Sequence, residues 1–402
     1  MSLTSAAVVA GVAVLAPLAI ALTGARLPAI VLEILLGVLV GPQALGWARV
    51  DQPVAVLALI GLGFLLLLAG LEIDFDCLKG RVLGVTAAGF ALSFLLAVAV
   101  GVLVQHGGLV RSPLLVAVIL SATSLGIVLP ALEDAGQVST AFGQVVLAAA
   151  SLAEVVPIVL LSLLFSEKSS GTWSQLALLI AFLVLVVAVG ATIFVGLEHS
   201  RRISQTLLSL QDTTAEIRVR GAFLLLLLFA AVASKFGLEA ILGAFLAGAT
   251  LKLVDRDKQM THTLLHTKLR AAGYGVFVPF FFVSTGMQLD IDSLVRSGST
   301  LARVPIFLAA ILVVRAIPAV LYRSLAERRR QLVAAGLLQA TSLSIPIVAG
   351  QIGVGLGLIR PGSYVALVTA GLLSVMLFPL IALALLRPTS IIPPSTATRR
   401  GP

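Results

Sequence analysis

Long apolar runs from which ionisable residues have been almost cleared constrain this chain more than any other feature. They fall near residues 3–22, 27–45, 53–71, 83–105, 113–132, 139–166, 174–196, 219–236, 238–254, 271–288, 300–322, 330–353 and 363–386. A membrane-spanning helix needs about 20 apolar residues, so the runs predict an all-α polytopic membrane protein of about thirteen transmembrane helices. Composition agrees: 59% hydrophobic and 11% charged residues in 402 leave too little polar side chain to cover a soluble globule. The net charge of +9 therefore sits in the connections, where it reads as topology and not as a nucleic-acid surface. Lys79, Arg81, Arg201, Arg202, Arg256, Lys258, Lys268, Arg270 and Arg323 crowd one side, against a sparser set such as Arg49, Arg111, Arg303 and Arg360 on the other. The positive-inside tendency then puts the N-terminus outside and the C-terminus in the cytoplasm, in a membrane of the bacterial inner type. The first run lacks a basic flank and reads as a span, not a cleaved signal. The single cysteine, Cys77, excludes an internal disulfide or a cysteine metal cluster, and no cofactor is expected.

The chain also repeats itself. Leu32-Glu33-Ile-Leu-Leu-Gly37 is answered by Leu238-Glu239-Ala-Ile-Leu-Gly243, Gly70-Leu-Glu-Ile-Asp74 by Gly286-Met-Gln-Leu-Asp290, and Ala122-Thr-Ser-Leu125 by Ala340-Thr-Ser-Leu343. Equivalent runs are seven apart, and an odd shift inverts the copy in the membrane. The organisation expected is a first repeat with a linker span over 1–196, a cytoplasmic linker loop over 197–220, a second repeat over 221–387 and a disordered cytoplasmic tail over 388–402. In both Ala-Thr-Ser-Leu tracts small and hydroxyl residues interrupt a span. Inverted repeats with crossed discontinuous helices in each half point to a secondary transporter whose site lies at the bilayer midplane.

Glu154, in Ser151-Leu-Ala153-Glu154-Val-Val-Pro157, sits halfway along the sixth run. A carboxylate there costs at least ~2.5–3.5 kcal/mol on insertion scales. Burial opposes its charge while helix N-termini favour it, and balanced terms leave a group that exchanges a proton for a cation. The plain alternative is a protonated glutamate bonded to a neighbouring helix. Thr123, Ser124, Thr341 and Ser342, with half-helix ends, are candidates to replace part of an ion's hydration shell; close helix packing is their alternative. Ala153 and Ser151 are candidate supporting positions. Arg315 is the one base deep in a run and needs an anion, for which Glu154 is the central candidate, or else snorkels outward. Glu33 and Glu239 read as interfacial pins. His262 and His266 share helical spacing but lack a third metal ligand, so a solvated loop is the plainer reading and a regulatory role stays open.

At these residues the chain resembles the monovalent cation:proton antiporter family, which includes bacterial sodium/proton antiporters and glutathione-gated potassium efflux systems. Leu32–Pro42, Leu68–Asp74, Ser121–Gly126, Gly243–Gly248 and Pro279–Gly286 carry the resemblance. It implies a homodimer in which spans 1–3 and 8–10 form a panel, spans 4–6 and 11–13 a mobile core, and span 7 a linker. It also implies that Glu154 stands for the family's essential carboxylate and Arg315 for its conserved base. Members usually carry Asp-Asp, Asn-Asp or Gln-Asp where this chain has Ala153-Glu154, which removes one ligand and moves the remaining oxygens by about one carbon–carbon bond. No soluble nucleotide-binding domain of the kind many potassium-efflux relatives carry is expected within this chain.

The function expected is electroneutral exchange of sodium or potassium for protons by alternating access around Glu154, the one titratable carboxylate read at the centre. The partners are the cation, the proton and membrane lipids, with no nucleic acid and no enzymatic reaction. Alternatives are an organic-solute or anion transporter on the same fold, or a transport-inactive membrane sensor.

Overall fold

Polar backbone in apolar surroundings, with no water to bond, must bond to itself, and helices result. The computed structural model describes residues 3–23, 28–73, 80–165, 172–199, 216–254, 261–289, 298–324 and 329–386. Its helices are α1 Thr4–Thr23, α2 Ala29–Val40, α3 Gln52–Glu72, α4 Gly80–His106, α5 Pro113–Leu120, α6 Leu125–Asp134, α7 Ala141–Leu164 and α8 Thr172–His199. There follow α9 Ile217–Lys235, α10 Ala240–Val254, α11 Thr261–Ala272, α12 Val278–Gln288, α13 Gly298–Ala316, α14 Arg329–Gln339, α15 Ser344–Gly355 and α16 Pro361–Leu386. A π turn, Gly273–Phe277, joins α11 to α12, and a 3-10 turn, Ile317–Ser324, extends α13. Nine spans built from the described residues are long and apolar enough to cross a membrane. Most of the proposed linker loop and the whole proposed tail lie outside the described residues, as do Asp74 and Asp290.

Helix starts follow from local chemistry. Asp51, Ser112 and Thr140 each accept a hydrogen bond from the N–H three residues on, at 3.1, 3.3 and 3.0 Å, and Pro53 and Pro113 occupy first-turn positions that need no N–H donor. The tenth apolar run begins ten residues later than its helix: Thr261–Arg270 is polar, yet Leu265 and Leu269, one turn apart, are buried and hold it helical.

Helices α1–α3 and α9–α12 pack together as one group. Glycines let two pairs approach closely. A Cβ on Gly70 would lie 2.2 Å from the Phe245 carbonyl oxygen and one on Gly248 2.0 Å from that of Leu67; the same occurs between Gly37 and Val283 and between Gly286 and Ile34. The second group contains α4, α5, α6, α7, α13, α14, α15 and α16, with α8 lying against both α7 and α10. Within it the two interrupted spans, α5/α6 and α14/α15, meet at their breaks. At one end an isolated bridge pairs Val110 with Ile359, and Arg111 donates to the Leu358 and Gly357 carbonyls at 3.0 and 3.1 Å.

Candidate functional site

Proline chemistry builds the site. Pro157, inside α7, has no N–H to donate to residue 153, so the Ala153 carbonyl is free within its own helix. It instead accepts from Thr123 N–H at 3.2 Å, fastening the first break against α7. The two breaks then bond to each other. Ser124 N–H donates to the Thr341 carbonyl at 2.8 Å, and Leu343 N–H donates to Ser124 Oγ at 3.1 Å. Ser124 precedes α6 without capping it through its side chain. That role passes to Glu154, whose Oε2 accepts from Leu125 N–H at 2.6 Å. Glu154 is 4% exposed. A carboxylate at the positive end of a half-helix is the arrangement that lets a buried charge exist without a countercharge.

Arg315 lies elsewhere than expected. Its Nε and Nη2 donate to Thr123 Oγ1 at 3.0 and 2.8 Å, its Nη1 to Ser93 Oγ at 2.9 Å, and its Nε and Nη2 also to the Gln339 carbonyl and Oε1 at 3.2 and 2.6 Å. Among the described residues no carboxylate lies within ion-pair distance of it, and the expectation of an Arg315–Glu154 pair is corrected. The physical reason is that a guanidinium's fixed fork is satisfied by several neutral oxygens at once, here including Gln339 at the negative C-terminal end of α14. Arg315 reaches Glu154 only through Thr123 and the backbone of the break.

The open space lies at the seam between the two groups. A cavity of about 50 Å³ is lined by Glu154, Ser124, Gly126 and Ser344 from one group and by Glu72 and Tyr274 from the other, with apolar walls that include Ile30, Leu65 and Phe282. Glu72 is the residue that sequence reasoning missed, and the expectation of a single central carboxylate is corrected with it. It closes α3, where an acid beside Asp74 reads as an interfacial residue, yet its side chain is only 5% exposed. Its signal was already in the repeat: Gly70-Leu-Glu72 matches Gly286-Met-Gln288. Glu72 Oε1 stands 3.9 Å from Arg270 Nη1. Tyr274 belongs to the π turn, where Val278 N–H bonds back to Gly273; such turns recur at functional positions.

The other expected residues divide. Thr123 serves Arg315, while Thr341 donates its hydroxyl to Leu338 at 2.7 Å and caps α14. Ser342 Oγ is buried without a hydrogen-bond partner among the described residues. Ala153 acts through its carbonyl, and Ser151 is buried one turn before Glu154. Glu33 is buried on α2, and the Glu239 N–H donates to Ser162 Oγ at 2.9 Å. The His262 side chain lies outside what is described.

Two broken helices that meet at a buried carboxylate, inside a body of apolar helices, define an integral membrane protein with a polar site among its spans. The profile of the family described as "Sodium/hydrogen exchanger, transmembrane" matches residues 10–387, and the chain belongs to that family. It is 30% identical over 397 residues to a Bacillus subtilis protein named "Putative Na(+)/H(+) antiporter YjbQ", covering 94% of this chain and 62% of that one, so the chain spans less than two thirds of that relative. It is 29% identical to a Na(+)/H(+) antiporter of Enterococcus hirae, over 88% of this chain and 91% of that one. Among solved structures the sodium proton antiporter MjNhaP1 of Methanocaldococcus jannaschii shares the fold, with a TM-score of 0.70 and 17% identity over 95% of this chain and 98% of that one.

Proposed function

We propose that this chain exchanges a monovalent cation, sodium or potassium, for protons, and that Glu154 holds one or the other. The observation that carries this reading is the Leu125 N–H bond to Glu154 at the edge of the seam cavity. That donor supports the carboxylate in its charged form, ready for a cation, while the apolar walls favour its protonated form. Ser124 and Ser344 supply neutral oxygens of the kind a dehydrated alkali ion takes. Arg315 is a positioning residue: it locks Thr123 and so fixes the break that presents Leu125.

Glu72 is paired with Arg270, so Glu154 is the cavity carboxylate without a cationic partner among the described residues. One carboxylate binding one cation or one proton gives an electroneutral exchange. Homodimer formation through the α1–α3 and α9–α12 group, a cytoplasmic C-terminus and an inner-membrane location belong to the same proposal. The anion-transport alternative lacks a seat, because the cavity carries two carboxylates and the Arg315 donors are engaged inside the core.

In proteoliposomes the wild type should give cation-dependent pH changes at a rate indifferent to membrane voltage, and Glu154→Gln should abolish them. Activity retained in the variant defeats the assignment of Glu154; voltage-driven exchange defeats the stoichiometry.

A further inference from the structure

The end of the cavity nearest α11 carries an arrangement that exchange at Glu154 does not by itself require. Arg270 projects from the last turn of α11, with Cζ 5.7 Å from the Tyr274 ring centroid and Nη1 3.9 Å from Glu72 Oε1. Its side chain is 45% exposed, whereas that of Glu72 is 5% exposed. The guanidinium thus stands between solvent and a cavity carboxylate, with one face on an aromatic ring. Glu133 and Lys252 also act on Glu72, as does Glu154 across the same cavity.

The separation matters. At 3.9 Å the pair is too long for a hydrogen bond, and on the Arg270 side it is half solvated, so it exchanges readily for another cation. Stacking on Tyr274 keeps the guanidinium at the mouth when it lets go, which a lysine would do less well. Glu72, Tyr274 and Arg270 all belong to the group opposite Glu154, so they stay at this mouth whatever the core does. A cation entering here meets a carboxylate that already has a tethered partner.

We propose that Arg270 is a built-in competitor for the transported cation at Glu72 and sets the affinity of the mouth it occupies, a positioning role on one side only. When the cation enters, Arg270 yields Glu72 to it. When Glu154 carries a proton, Arg270 re-pairs with Glu72 and the charge of the cavity stays balanced. The inference rests on the antiport reading and adds a sidedness which that reading lacks.

The test compares initial exchange rates in everted and right-side-out membrane vesicles with sodium and potassium as the probes. Arg270→Gln should lower the apparent KM by about three- to tenfold for cation presented on the Arg270 face, the range of a partly solvated ion pair. The KM on the opposite face should not move. Arg270→Lys should fall between, and Arg270→Gln should have no further effect in a Glu72→Gln background. An unchanged or raised KM on the Arg270 face, in a wild type that exchanges cations, overturns this inference alone. A wild type that exchanges neither cation overturns the antiport reading beneath it. A purely structural role for Arg270 would lower turnover and thermal stability together on both faces, which also contradicts the proposal.

Discussion

Arg315 makes more hydrogen bonds than any other side chain near the break, and each goes to a neutral oxygen. Replacing it with glutamine leaves Thr123, Ser93 and Gln339 short of donors in a dry interior, at a cost of roughly 2–4 kcal/mol. We therefore expect Arg315→Gln to lower the melting temperature in detergent as well as transport, while Glu154→Gln leaves the melting temperature near that of the wild type. Equal destabilisation by the two variants would instead mean that they are ion-pair partners. The sequence made Arg315 conspicuous but could not choose its partner, because Gln339 and Ser93 look like ordinary polar residues in apolar runs. Glu72 escaped for the opposite reason: its place at the end of a run resembles a helix end at the interface. Only the crossing of α3 beneath the α6 N-terminus turns it inward.

Pro157 does its work at the scale of the element. By freeing the Ala153 carbonyl it gives the Thr123 N–H a partner outside its own span, so a helix defect in α7 stabilises an interruption in its neighbour. Pro157→Ala restores a donor to the Ala153 carbonyl. We expect it to raise the thermal stability of the protein, since proline inside a helix costs about 3 kcal/mol, and to lower turnover several-fold by loosening Thr123 and with it Leu125. Higher stability with unchanged turnover would show that the bond from Thr123 is dispensable. The break itself was legible from its glycine, proline and hydroxyl residues, and so was the position of nearly every helix. The π turn was not, because Gly273 and Gly275 also suit an ordinary helix. Gly273 itself packs close to Leu68, where a Cβ would lie 2.9 Å from Cδ1.

Across the whole molecule the two packed groups divide the chemistry. Glu154, its Leu125 donor, Ser124 and Arg315 belong to one; Glu72, Tyr274 and Arg270 belong to the other. Under the proposed exchange, a displacement of the Glu154 group along the other would carry the carboxylate together with its hydrogen-bond donor, leaving the site intact. The glycine crossings of α3 with α10 and of α2 with α12 make the α1–α3 and α9–α12 group a close-packed body. The expectation of two such groups came from resemblance, not from hydropathy, since every span reads alike by composition; the seam between them exists only in three dimensions. The most direct test of the account is to count protons released when sodium or potassium is added to the purified protein in weakly buffered solution. The account predicts about one proton released per cation bound by the wild type and none by Glu154→Gln; release of wild-type size from the variant would contradict it.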